Sequence, residues 1–109
     1  MNKNRNVKRI YIAGSYSADN IIQCLNNIHD GIKKSVEVLK AGDAPFCPWL
    51  DYQFQFFDKT LTIEDYYRYS VAWLEVSDEL WVLPNSENSK GTQAEITKAK
   101  ELGIPIKYL

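Results

Sequence analysis

Two hydrophobic periods alternate along the chain. Short apolar runs at residues 8–13, 45–48, 79–83 and 104–109 read as strands. Between them, apolar residues recur at intervals of three and four, as on one face of a helix. The first helical pattern carries Ile21, Ile22, Leu25, Ile28, Ile32, Val36 and Leu39. It opens on cap-forming residues in Ser17-Ala18-Asp19-Asn20 and ends at Gly42. Pro45 and Pro48 predict an edge strand or a strand end. Residues 49–60 read as an aromatic-rich loop or a partly helical segment. Thr62, with Asp65 three places later, caps a second helix that runs through Tyr66, Ser70, Trp73 and Leu74 to about Ser77. A third helix covers 91–102, with Gly103 as its C-cap.

Strands alternating with helices specify an α/β fold with right-handed crossovers. The expectation is a single-domain, Rossmann- or flavodoxin-like three-layer sandwich with a four-stranded, mostly parallel sheet. Residues 1–7 form a polar N-terminal segment and 8–109 the domain. In such sheets ligands bind beyond the carboxyl ends of the strands, where the strand order switches. Gly14-Ser15, the loop after Pro48, and residues 84–91 converge there.

The stretch Ser89-Lys90-Gly91-Thr92-Gln93-Ala94-Glu95 carries most of the chemistry. A glycine lets a ligand approach the backbone, and a first helical turn offers free N–H groups to an anion. At about 100° per residue, Glu95 falls within the apolar arc of Ile96, Ala99, Leu102 and Gly103. Lys98, Lys100 and Glu101 fall outside it. An unpaired inward carboxylate is costly, so Glu95 either bonds to a backbone N–H or a tyrosine at the rim or serves a function. The neighbouring Ser-x-Gly turn favours function. Tyr11 and Gly14-Ser15 read either as a core strand with its turn or as a surface for sugar or phosphate. Trp49, Tyr52, Phe54, Phe56, Phe57, Tyr66, Tyr67 and Tyr69 form an aromatic region, mostly core or subunit interface, in which one or two faces suit a flat ligand. Asp65 is explained by the helix start, whereas Asp51 is the better candidate to enter a site.

Composition narrows the classes. A 45% hydrophobic and 13% aromatic content fits a folded domain. Thirteen basic and fourteen acidic residues nearly cancel, with no basic stripe for a nucleic acid polymer. No apolar stretch is long enough to span a bilayer, and the polar start lacks a signal-peptide core. A cytoplasmic location with no membrane partner is the expectation. Cys24 and Cys47 fit no ligand spacing and read as reduced thiols. With the single His29, they imply no metal site, and no cofactor is implied.

One ordered set of motifs resembles the nucleoside 2-deoxyribosyltransferase superfamily, closest to its nucleoside-monophosphate N-glycosidase branch and small phage and bacterial relatives. The set is Tyr11-x-x-Gly14-Ser15, a helix with Trp73, Asp78 before a strand, Ser89-x-Gly91-x-x-x-Glu95, and Ala99 before a final Gly-Ile-Pro-Ile strand. The resemblance implies that Glu95 is a nucleophile forming a glycosyl ester, that Tyr11 orients it, and that Ser15 and Ser89 help hold a 5′-phosphate. It departs in two places. Family enzymes usually carry an aspartate three residues before the position of Trp73, where this chain has Ser70. The acid for the leaving base is then missing, or comes from Asp51, Asp65 or Asp58. Family members also often continue into a fifth strand and a tail reaching a neighbouring subunit, where this sequence ends after the fourth.

The resulting expectation is cleavage or transfer at the N-glycosidic bond of a (deoxy)nucleoside or nucleoside 5′-monophosphate. Glu95 and Tyr11 would be catalytic, and Gly14, Ser15, Asp51, Ser89 and Gly91 would bind substrate. A homodimer or higher homo-oligomer is expected from the aromatic segment and the last strand. A non-catalytic nucleotide-sensing module, favoured by Ser70, and a purely interacting protein are the competing classes.

Overall fold

The computed structural model describes residues 6–109. Residues 1–5 of the expected polar segment lie outside the described residues. Four strands, β1 (Arg9–Ala13), β2 (Ala44–Phe46), β3 (Glu79–Val82) and β4 (Ile106–Tyr108), form one sheet in the order β2-β1-β3-β4. Every pairing is parallel, so the sheet is wholly rather than mostly parallel. Three α-helices connect the strands: α1 (Ile21–Lys40), α2 (Ile63–Glu75) and α3 (Lys90–Leu102). A 3-10 segment, Pro48–Phe56, follows β2. The edge position expected of β2 from its prolines is the position it occupies.

The order of strands puts the helices on both faces. The chain steps outward from β1 to β2, then back across to β3 and on to β4. Right-handed crossovers therefore place α1 on one face and α2 and α3 on the other. Alternation along β1 feeds both cores. Ile10 and Ile12 pack with Ile28, Val38, Cys47 and Trp49 on the α1 side. Tyr11 and Ala13 pack with Leu74, Leu80, Val82, Ile96 and Ala99 under α2 and α3. All four β1 residues from Ile10 to Ala13 are at most 1% exposed.

The helix boundaries follow their caps. Asn20 accepts from the Gln23 N–H, and Thr62 with Asp65 forms a complete capping box. Gly103 closes α3 in the left-handed conformation, at φ 73°. The face of α1 departs from the expected one. Its buried residues are Ile28, Gly31, Ser35 and Val38, whereas Ile21, Ile22, Leu25, Val36 and Leu39 are exposed. The apolar pattern marks a wide face, but the sheet and Trp49 cover only the stripe where small residues let them approach. In α3 the buried residues are Thr92, Ile96 and Ala99, and Leu102 is exposed.

Gly31 is the most closely approached of the glycines. A Cβ built there would lie 2.2 Å from Cδ2 and Cε3 of the Trp49 indole. The ring has little freedom to retreat, because its Nε1–H donates to the Ser15 carbonyl at 3.0 Å. Trp49 thus ties α1, the 3-10 segment and the turn after β1 together. Among the described residues no helix is long and apolar enough to cross a membrane.

The Gly31→Ala substitution is expected to destabilise the fold by about 1–3 kcal/mol through overpacking. Thermal unfolding followed by near-ultraviolet circular dichroism checks this, since the tryptophan signal should change together with the midpoint.

Candidate active site

A cavity of about 950 Å³ opens at the carboxyl ends of β1, β2 and β3. Strand order switches between β1 and its two neighbours there, the place where open parallel sheets hold ligands. The volume lies in the range of small-molecule sites. Three chain segments frame it: the turn after β1, the 3-10 segment with the start of α2, and the first turns of α3.

Glu95 sits on the wall of this cavity, one turn into α3, and is partly buried. Its Oε2 accepts a hydrogen bond from the Tyr11 hydroxyl. Of the alternatives open to an inward Glu95, the tyrosine partner is the one present. Tyr11 is fully buried at the centre of the sheet, with its ring 5.1 Å from that of Phe46 between centroids. Phe46 in turn stacks on Trp73 of α2 at 5.7 Å. The phenol is therefore fixed before the carboxylate reaches it.

The electrostatics follow from this burial. Desolvation raises the Glu95 carboxyl from an ordinary 4.5 to about 7; the Tyr11 hydrogen bond opposes the rise and the charge of Asp51 adds to it. Tyr11 is pushed well above the usual phenol range, first by burial and then by the Glu95 charge. It therefore remains a donor at every pH of interest. Asp51 lines the same cavity, and desolvation raises it to about 6. No cation pairs with Asp51 among the described residues.

The remaining expected residues meet at the same place. Gly14 and Ser15 line the cavity on one side, Ser89 and Gly91 on another. Gly14 is held close, since a Cβ there would meet Leu83 and Trp49 at 3.0 Å. The two serines differ in what they can still do. Ser15 Oγ donates to the Asn85 carbonyl at 3.2 Å, joining the two loops. Ser89 Oγ accepts from the Thr92 N–H at 3.2 Å as the N-cap of α3. Its own proton is left free to donate. At Gly91 an added Cβ would meet nothing within 4 Å. Neither packing nor backbone conformation demands a glycine there, and the space beside the N-terminus of α3 is open. Lys90 and Lys59 line the cavity as its cations.

Some contacts around the cavity had no signal in the sequence. Trp49 acts at a separation of 34 residues, through its bond to the Ser15 carbonyl. Asn85 takes a left-handed conformation, φ 62°, and so presents its carbonyl to Ser15. Ser70 lines the cavity, and its hydroxyl lowers the phenol against the larger upward influences. Tyr66 also lines the cavity, and its hydroxyl is buried with no partner among the described residues. Asp65 is accounted for by the Thr62 capping box and by Arg68 at 3.1 Å. Cys24 and Cys47 are free thiols. Among the described residues no group of three His, Cys, Asp or Glu side chains is placed to hold a metal ion.

The chain belongs to the family described as a domain of unknown function, DUF7768, whose model matches residues 8–109. A search of curated proteins found no match. Among solved structures, the chain is similar to the 2-deoxyribosyltransferase of the psychrotolerant bacterium Bacillus psychrosaccharolyticus, described as a biocatalyst for synthesis of antiviral and antitumoral nucleosides. The two share 15% sequence identity and superpose with a TM-score of 0.69 over 92% of this chain and 70% of that one. The fold is common to both.

Because folding raises the Glu95 pKa, ionised Glu95 disfavours the native state. The stability is complete below pH 4.5 and is lost as pH rises through about 7. Glu95→Gln removes that loss. At pH 8–9 the variant is expected to unfold several degrees above wild type, with an upper bound of about 3 kcal/mol at 1.36 kcal/mol per pH unit. Below pH 4.5 the two melting curves should converge. Melting temperatures across pH 4–9 measure it.

Proposed function

We propose that this protein cleaves or transfers at the N-glycosidic bond of a (deoxy)nucleoside or nucleoside 5′-monophosphate, with Glu95 as nucleophile. The observation that carries the reading is the Tyr11–Glu95 hydrogen bond on the wall of the switch-point cavity. The fold shared with a 2-deoxyribosyltransferase supports the substrate class.

Chemically, a carboxylate near an anomeric carbon stabilises positive charge that develops as the base departs, then collapses onto the carbon as an ester. Glu95 suits this task because its pKa lies near neutrality. It is substantially ionised at pH 7, and its ionised form is poorly solvated and reactive. Tyr11 holds one carboxylate oxygen and leaves the other for the sugar. The aromatic wall around Trp49, Tyr52 and Tyr66 supplies a face for a base.

The 5′-phosphate belongs between the Gly14-Ser15 turn and the start of α3. Backbone N–H groups and the helix dipole favour an anion there. Ser89 is the better donor of the two serines, since Ser15 must give up its bond to Asn85. A homodimer is part of this reading. Phe56, Phe57 and Ile63 are 74%, 90% and 87% exposed beside the cavity mouth, and a second subunit would cover them. Sedimentation at micromolar concentration should give at least a dimer, and a monomer would remove that element.

A screen of nucleosides and nucleoside monophosphates for released base tests the reaction. Glu95→Gln should abolish turnover and leave the fold and ligand binding nearly intact. Near-wild-type turnover in that variant would overturn the mechanism. Gly91→Ala separates ligand from fold: stability should hold or rise by about 0.4–1 kcal/mol, while monophosphate affinity falls. Ser89→Ala should narrow the preference for monophosphate over nucleoside by about 1.5–3 kcal/mol, and more than Ser15→Ala does. Calorimetry on a nucleoside and its monophosphate reads both.

A further inference from the structure

We propose that Asp51 is the acid that protonates the departing base, a catalytic role that no carboxyl group of α2 fills. The assignment rests on the N-glycosidic reading above and names the second carboxyl of that reaction. Three carboxyl groups line the cavity among the described residues: Asp51, Asp58 and Glu95. Glu95 is committed to Tyr11 and to the sugar. Asp58 accepts from the Thr60 hydroxyl at 2.6 Å and from its N–H at 2.9 Å, bonds that hold its pKa low and leave it an acceptor only. Asp65 is outside the cavity lining, in the capping box. Where α2 faces the cavity near Tyr11 it offers Ser70, whose hydroxyl is too weak an acid to deliver a proton to a leaving base.

Asp51 meets the requirements on geometry. It lies two residues after Trp49, whose ring is wedged against Gly31 and bonded to Ser15, so the first turn of the 3-10 segment is fixed. It makes no ion pair among the described residues. Its charge is felt by Glu95, Tyr11 and Tyr16, which places it centrally among the polar groups of the site. Burial also favours its protonated form. Two carboxyls in one cavity do not readily ionise together, and the Tyr11 hydrogen bond favours the ionised form of Glu95.

The steps balance. In the first, the C1′–N bond breaks with its electron pair moving to the base. The Asp51 proton passes to the base, and a Glu95 oxygen bonds to C1′. In the second, water attacks C1′ and gives its proton to the Asp51 carboxylate, while the ester bond breaks and restores the Glu95 carboxylate. The products are free base and the sugar or sugar phosphate.

The test uses a leaving group that needs no acid. Wild type, Asp51→Asn, Asp51→Glu and Glu95→Gln are assayed on the common deoxynucleosides and their 5′-monophosphates, and on 7-methyl-2′-deoxyguanosine and its monophosphate. The methylated base departs from a cationic nucleoside without gaining a proton. Asp51→Asn should lose about 100-fold or more in kcat on unmodified substrates, and less than about threefold on the methylated ones. Asp51→Glu should retain more activity than Asp51→Asn on the unmodified set. An equal loss on both sets, or no loss on the unmodified set, overturns the acid assignment alone, provided Glu95→Gln is inactive on both. Release of base from none of them by wild type removes the N-glycosidic reading for deoxyribosides and this assignment with it.

Discussion

A phenol and a carboxyl group share one hydrogen bond between the sheet and its outer helix layer, and the site is organised around it. Tyr11 lies on the strand that is paired on both sides and covered on both faces. Its hydroxyl would be an unsatisfied buried donor without Glu95. Glu95 in turn would be an unpaired carboxylate in a poorly solvated wall without Tyr11. Each group makes the other's burial tolerable, and the pair sets which side of α3 faces the cavity. The same burial lifts the carboxyl toward neutrality, so packing and proton affinity have one cause.

A second constraint holds the opposite wall. Trp49 fills the space that Gly31 leaves on α1 and grips the carbonyl of Ser15. The tight turn after β1, the 3-10 segment after β2 and the helix behind them are thus one packed unit. Loops at the carboxyl end of a parallel sheet are usually its most variable part. Here an indole and a glycine fix two of them relative to the strands, so Gly14, Ser15 and Asp51 are positioned by core packing rather than by loop chemistry.

The polar groups of the cavity divide by their surroundings. Carboxylates at its solvated rim, such as Asp58, are held low by hydrogen bonds, whereas Asp51 and Glu95 are raised because burial strips part of their water and no cation pairs with them among the described residues. The lysines that line the cavity are Lys59 and Lys90, and neither pairs with these two acids among the described residues. Such separation leaves the acids free to exchange protons while cations remain available to an anionic part of a ligand. Two destabilised carboxyls in one cavity support the enzymatic reading proposed above over a sensing one.

Much of the fold was legible in the sequence. Alternating periods of two and 3.6 specified the α/β order, and short-range caps at Asn20, Thr62 and Gly103 set helix ends within one or two residues, because caps act between neighbours along the chain. Glu95 was identifiable from its angle on α3, and the turn at Ser89-x-Gly91 from its residue types. What the sequence could not determine were contacts across the fold. Nothing local marks which stripe of α1 is buried, since five of its apolar residues face outward and Gly31 and Ser35 face in. The partner of Glu95, 84 residues away, was implied only by the family resemblance, and the anchor of Ser15, 34 away, had no local mark at all. Hydrophobic period states that a face will be buried; only the packed neighbours decide how much of it, and which polar groups are left to satisfy one another.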